Sequence, residues 1–247
     1  KKSDILIQNL APGAFERLGL NLKDLRDQYP KLITCSITGF GQTGPYAERL
    51  GYDFIIQALS GIMDLTGEPN KEPQKMGVAF ADIFTGLYGV IAIQSALAMR
   101  EKNNKGQQID LSLMDSMVAV LANQASNYFV SGSPPKRMGN KHPNIVPYQV
   151  FPTKDGYLII AVGNNDQFER LCKALELNDL HISSKYSDNQ KRVQNREELV
   201  DIISSQTKKY SKNDLKILLE LSKVPVGTVN NLEEVFSDPQ VIARNLK

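Results

Sequence analysis

Asp82 is the only formally charged residue between Gly77 and Met99, and it stands inside the segment VAFADIFTGLYGV, residues 78–90. A carboxylate withdrawn from water is costly unless hydrogen bonds or a chemical role compensate. Two roles fit this position. The carboxylate follows the apolar GVAFA and precedes helical sequence, so it belongs at or near a helix amino terminus, where free backbone N–H groups favour an anion. A plain N-cap of this kind is worth about 1 kcal/mol. A carboxylate held ionised in apolar surroundings is also a good nucleophile, and the two roles are compatible.

The other reactive residue types form weaker patterns. His142 and His181 lie in loop-like segments with no Ser or Cys nucleophile beside them, which fits solvated or loop-packing imidazoles and not a triad. GFGQTG, Gly39 to Gly44, lacks the Lys-Ser/Thr of a phosphate-binding P-loop. Cys35 and Cys172 form no metal or redox spacing and read as structural thiols in a reducing compartment. Arg17 suits either phosphate binding or plain solvation.

These residues need elements to position them. DILIQ, from Asp4, reads as a short strand, and APGAFERLGLNLKDLRDQYP as a helix with Pro12 in its first turn. KLITCSITGFG is a second strand closed by Gly39 and Gly41. This rhythm suggests a parallel βαβ layout with ligands near the strands' carboxyl ends. GYDFIIQALSGIMDLTG reads as one helix, Asp82 as the opening of a long apolar helix, QIDLSLM as a strand and DSMVAVLANQASNYFV as another helix. Residues 132–147 have linker or lid composition. Beyond them YQVFPTKDGYLIIAVG reads as a hairpin around Asp155-Gly156, with helices near 166–175, 196–209 and 213–221 and a strand in VPVGTVNNL. The expected fold is α/β: a Rossmann-like parallel-sheet domain over 1–131 and a smaller α+β domain over 148–247.

With 247 residues, 41% hydrophobic, the chain can bury a core without disulfides. Its net charge of +2, with acids and bases interspersed, argues against nucleic acid or an anionic membrane surface as partner. The run from Gly77 to Met99 could cross a bilayer by length. Its Asp82, Thr85, Gln94, Ser95 and three glycines favour a buried helix instead. The chain opens KKSDILIQNL, charges running straight into a strand, as if entered midway through an α/β unit; a preceding segment is expected.

The segments DILIQNLAPGAFERLGL, LITCSITGFGQTGPYAERLGYDFIIQALSG, GVAFADIFTGLYG, NKGQQIDLSLMDS and VPYQVFPTKDGYLIIAVGNNDQFERLC, in that order, resemble the class III CoA-transferase (CaiB/BaiF) family over nearly the whole chain. The likeness implies that Asp82, matching the aspartate of the family's AD-x-x-T/A-G segment, attacks an acyl-CoA thioester and carries CoA as an aspartyl thioester. No metal or tightly bound cofactor is implied; CoA and acyl-CoA are substrates. By the same resemblance Asn9 and Arg17 contact CoA, with Leu10 and Leu18 near adenine and Leu113 along the CoA arm. The segments CSITGFGQTGP, GNNDQF and VPVGTVNNLEEVFSDPQV point to members using succinyl-CoA and a small dicarboxylate such as glutarate. A dicarboxylate needs a cation for its distal end, and Arg137, then Lys141, with His142 and Tyr52, form the expected substrate set. The loop GNKHPNIVPYQ departs from the glycine-rich lid of formyl-transferring members, which argues against formyl or oxalyl chemistry.

The family also implies an interlocked homodimer and a cytoplasmic setting, or the mitochondrial matrix in a eukaryote. Two other functions compete. A racemase of the same fold needs a histidine base, and Gly51-Tyr52-Asp53 puts a tyrosine there, whose ordinary pKa of about 10 makes it a poor base. The third is a catalytically inactive, truncated CoA-binding fragment, because the family's oxyanion donor would belong to the preceding segment.

Overall fold

The computed structural model describes residues 3–247; Lys1 and Lys2, the first charges of the opening run, lie outside them. The chain divides into two compact units, one ending at Gly139 and the other running from Asn140 to Lys247.

In the first unit β1 (Ile5–Gln8), β2 (Ile33–Thr38) and β3 (Gln108–Ser112) form a parallel sheet in the order β1-β2-β3. The register is fixed through Cys35, which stands opposite Ile7 on one side and Ile109 on the other. Residues 33–36 of β2 are buried without alternation, as a central strand covered on both faces requires.

The helices around this sheet are more broken than their apolar spacing suggests. The stretch after β1 is two helices, α1 (Ala14–Arg17) and α2 (Leu22–Gln28), not one. Gly13 and Gly19 both take positive φ, Pro12 lies ahead of the α1 N-cap, and Asn21 caps α2 by accepting from the Lys23 and Asp24 N–H groups. Residues 53–65 likewise split into α3 (Asp53–Leu59) and α4 (Ile62–Leu65) where Gly61 takes φ 89°. The long helix α5 (Phe80–Asn103) is continuous. Beyond β3, α6 (Leu113–Ala119) and α7 (Ala122–Ser131) replace the single expected helix, because Ala122 enters the left-handed region at φ 48°.

Helix α5 corrects a second expectation. It is long and apolar, yet it buries only a stripe of small residues, Ala81, Thr85, Gly89 and Ala96. That stripe lets the helix come close to β3: a Cβ on Gly89 would lie 3.1 Å from Leu111 Cδ2. Ile83, Leu87, Val90 and Ile91 are each at least half exposed, so the large apolar side chains face outward.

The second unit is α+β. An antiparallel sheet β4-β5-β6 comprises Tyr148–Thr153, Gly156–Ala161 and Val226–Thr228. The hairpin turns at Lys154-Asp155, one residue earlier than expected, with Thr153 opposite Gly156. Helices α8 (Asn165–Ala174), α9 (Asn178–Ile182), α10 (Asn189–Gln194), α11 (Arg196–Thr207) and α12 (Lys212–Leu221) follow β5, and α13 (Leu232–Ser237) and α14 (Pro239–Ala243) follow β6. Phe151, Leu158, Phe168, Leu199 and Leu215 lead its core. Arg192 is 1% exposed within that core. It lies 4.6 Å from the Phe168 ring centroid and donates to the Val146 and Tyr186 carbonyls and to Asn165 Oδ1.

One close approach shapes the first unit where the site forms. Backbone at Gly39, just past β2, crosses backbone at Gly51, just before α3; a Cβ on Gly51 would meet Gly39 Cα at 2.7 Å. Gly51→Ala is therefore expected to destabilise the fold by about 1–3 kcal/mol in chemical denaturation. Gly86→Ala, where a Cβ meets nothing within 4 Å on the same helix as Asp82, should be neutral or stabilising by up to about 1 kcal/mol.

Candidate active site

Three chain segments leave the parallel sheet at its carboxyl edge: Asn9–Pro12 after β1, Thr38–Gly39 at the end of β2, and Leu113 after β3. Together with Arg49–Asp53 and the first turns of α5 they enclose a cavity of about 440 Å3. This is where an open parallel sheet places a ligand. Asp82, Thr85 and Gly86 line it from α5, three and four residues apart and hence on one helix face.

Asp82 lies in the first turn of α5, but its side chain does not cap the helix. The N-cap is Ala79, without a side-chain hydrogen bond. The orphan donors go instead to a carboxylate 28 residues earlier in the chain: Asp53 Oδ1 accepts from Ala81 N–H at 2.8 Å and from Asp82 N–H at 3.4 Å. Gln57, fully buried one turn along α3, donates to Asp53 Oδ2 at 2.7 Å and accepts from Met76 N–H at 2.9 Å. Asp53 thus performs the capping role that local sequence assigns to Asp82, and the Asp82 carboxylate is left free to face the cavity. It is also exposed, not buried, which corrects the expected desolvation penalty. Partial removal from water, and secondarily the negative charge of Asp53, still raise its pKa above the ordinary aspartate value.

The structure brings together Asn9, Leu10, Tyr52, Asp82 and Leu113 of the sequence-derived set, all on the cavity wall. Arg17 and Leu18 are not on that wall; Arg17 ends α1 with its guanidinium near Gly13, and Leu18 is 68% exposed.

The expected substrate cations are engaged elsewhere. Arg137 Nη1 pairs with the Asp64 carboxylate at 2.8 Å and its Nη2 donates to the Lys71 carbonyl, tying down the loop after α4. Lys141, in the second unit, pairs with Glu197 at 3.0 Å. His142 is fixed by its own loop: Nδ1 accepts from Asn144 N–H at 3.1 Å, the ring packs at a tilt against Tyr148, and Arg196 donates to the His142 and Pro143 carbonyls. Burial first, then the Arg196 charge, lower its pKa, which favours the neutral imidazole. No histidine lines the cavity, so the base a racemase needs is absent among the described lining residues.

Sequence reasoning missed Asp53, Gln57 and Arg49. Asp53 and Gln57 carried a faint signal, an acid and an amide four residues apart on a short helix. The contact of Asp53 with α5 has no local signature at all. Among the described residues Arg49 is the only cation on the cavity wall.

Comparison with known proteins agrees with this layout. The family model of CoA-transferase family III matches residues 1–247. A succinate–glutarate CoA-transferase of Agrobacterium fabrum is 51% identical over 247 residues, covering all of this chain and 62% of that protein. The human succinyl-CoA:glutarate CoA-transferase is 44% identical over 243 residues, covering 98% of this chain and 56% of that protein. The chain therefore spans about three-fifths of the length of these curated relatives. The crystal structure of a CaiB/BaiF family protein from Brucella suis superimposes with a TM-score of 0.84 at 54% identity, covering all of this chain and 65% of that one. An aspartate free of capping duty at the carboxyl edge of a parallel sheet, and a family match without gaps at either end, have one reading: this chain belongs to CoA-transferase family III.

Proposed function

We propose that the chain carries the nucleophile and part of the CoA pocket of an enzyme that moves CoA from succinyl-CoA to glutarate. The observation that carries the reading is the free Asp82 carboxylate on the cavity wall, its helix already capped by Asp53. The relatives' names supply the two acids.

The chemistry follows from the carboxylate. Asp82 attacks the succinyl-CoA carbonyl; the C–S bond breaks, CoA leaves as thiolate, and a succinyl-aspartyl anhydride remains. The thiolate attacks the aspartyl carbonyl and expels succinate, leaving an aspartyl-CoA thioester. Glutarate attacks that thioester, and the released thiolate takes the glutaryl group from the second anhydride, regenerating the Asp82 carboxylate. Each step exchanges one acyl bond for another of similar energy, which is the advantage of a covalent route. The raised pKa makes the carboxylate more basic, and hence more nucleophilic, than an ordinary aspartate. In this reading Asn9 and Leu113 contact CoA, Leu10 its adenine and Tyr52 the reacting acids; all four line the cavity.

Two exposed apolar surfaces support the homodimer that family membership suggests. The outer face of α5 and the end of α7, where Phe129 and Val130 are 79% and 90% exposed, form apolar area of a kind that marks interaction sites.

Three outcomes test these readings. Incubation with succinyl-CoA followed by hydroxylamine should convert Asp82 to a hydroxamate, visible by peptide mass spectrometry, and Asp82→Ala should lower CoA exchange by at least about 10³-fold. Full exchange in that variant would remove Asp82 as nucleophile. Asp53→Asn keeps an acceptor for the α5 N–H groups but removes the like charge, so the Asp82 pKa should fall. The acidic limb of the kcat/KM profile should then move to lower pH, and an unmoved limb would show that the Asp53 charge does not set the Asp82 ionisation. Light scattering at micromolar concentration should give a two-chain mass, and Ile91→Glu should shift it towards one chain; a wild-type monomer would end the dimer reading.

A further inference from the structure

Among the described residues the cavity wall carries two carboxylates, Asp53 and Asp82, and one cation, Arg49. Every substrate of the proposed reaction is itself an anion, so an unaided pocket would repel what it must bind. The guanidinium of Arg49 lies 3.9 Å from the centroid of the Tyr46 ring, and Tyr46 is held edge-on by Phe40 at 5.5 Å. That stack fixes the stem of the arginine and leaves its N–H fork unengaged, because none of the ion pairs among the described residues includes it. It also remains solvent-exposed, and so within reach of an arriving ligand.

Resting on the proposed CoA transfer, we infer that Arg49 is the specificity residue for the acid substrates, receiving the distal carboxylate of the dicarboxylate whose other end reacts at Asp82. The size of the site admits this anion, and a CoA phosphate is the competing ligand that the test distinguishes. The carboxyl carbons of an extended glutarate are about 5 Å apart, as four carbon–carbon bonds of ~1.5 Å require, so both ends fit one cavity of this volume. The CoA phosphates hang at the far end of the pantetheine arm, many bonds from the thioester. A planar guanidinium suits a carboxylate because it can donate two parallel hydrogen bonds.

The test compares glutarate with pentanoate, the monocarboxylate of the same length, as acceptors for the wild-type chain, Arg49→Gln and Arg49→Lys. Arg49→Gln should raise the glutarate KM about 10- to 100-fold and abolish the preference over pentanoate, with an unchanged Kd for CoA. Arg49→Lys, which keeps the charge and loses the fork, should fall between. A weakened CoA Kd with both acids affected equally would assign Arg49 to phosphate instead. An unchanged glutarate-to-pentanoate ratio in both variants would overturn the inference, and so would loss of folding in Arg49→Gln accompanied by an unaltered ratio in Arg49→Lys. Calorimetric titration of glutarate into the CoA-bound chain needs no turnover and separates the two readings. Glutarate binding that Arg49→Gln removes, without any transfer by the wild type, would sink the reaction but not the recognition. Absence of glutarate binding to the wild type would sink the recognition.

Discussion

The hydrogen bonds from the start of α5 to Asp53 are the constraint on which the rest of the first unit depends. A helix leaves its first N–H groups without intrahelical partners, and the nearest side chain able to accept them here is ordinarily the acid in its own first turn. Handing those donors to a residue on α3 leaves that acid facing the cavity and joins two helices at the cavity wall. Gln57 extends the arrangement. It is fully buried, holds the second oxygen of Asp53 and receives the Met76 N–H, so the loop leading into α5 is fixed by the same amide that orients the cap. The crossing of Gly39 over Gly51 then sets α3 at the distance these bonds require.

This arrangement has an electrostatic consequence. The cap is anionic, so it stabilises the positive end of α5 while opposing ionisation of Asp82 two residues into the helix. A neutral cap such as serine or asparagine would hold the helix nearly as well without raising the pKa of its neighbour. The chosen acid therefore couples helix geometry to the basicity of Asp82.

Much of the fold was legible as segments. The period-two and continuous apolar runs mark β1, β2, β3 and the β4–β5 hairpin, because strand burial is written locally. Helix ends were less legible. Left-handed residues at Gly19, Gly61 and Ala122 break helices whose apolar spacing continues across the break, and nothing in the type of Ala122 announces a positive φ. Asp82 was found from composition alone, as one charge in an apolar run. The run around it reads as a buried helix, and the structure instead exposes its large side chains. The run is apolar chiefly because α5 presents large side chains outward and small ones to the sheet, an inversion that average hydrophobicity cannot reveal.

The cations show how far a charge-rich loop can engage its own surroundings. Arg137, Lys141 and His142 cluster in a segment of linker composition, which suggests a surface waiting for an anion. Each is engaged within its own unit: Arg137 holds the loop after α4, Lys141 holds Glu197, and His142 is fixed by Asn144, Tyr148 and the donors of Arg196. A charge that already has a carboxylate and two carbonyls gains little from a further ligand and loses those partners on moving. Recognition falls more readily to a cation that the fold orients through an apolar contact while leaving its donors unengaged, and a guanidinium over an aromatic face meets both conditions. In this pocket that position belongs to Arg49, whose sequence context, between Glu48 and Leu50, gives no hint of it.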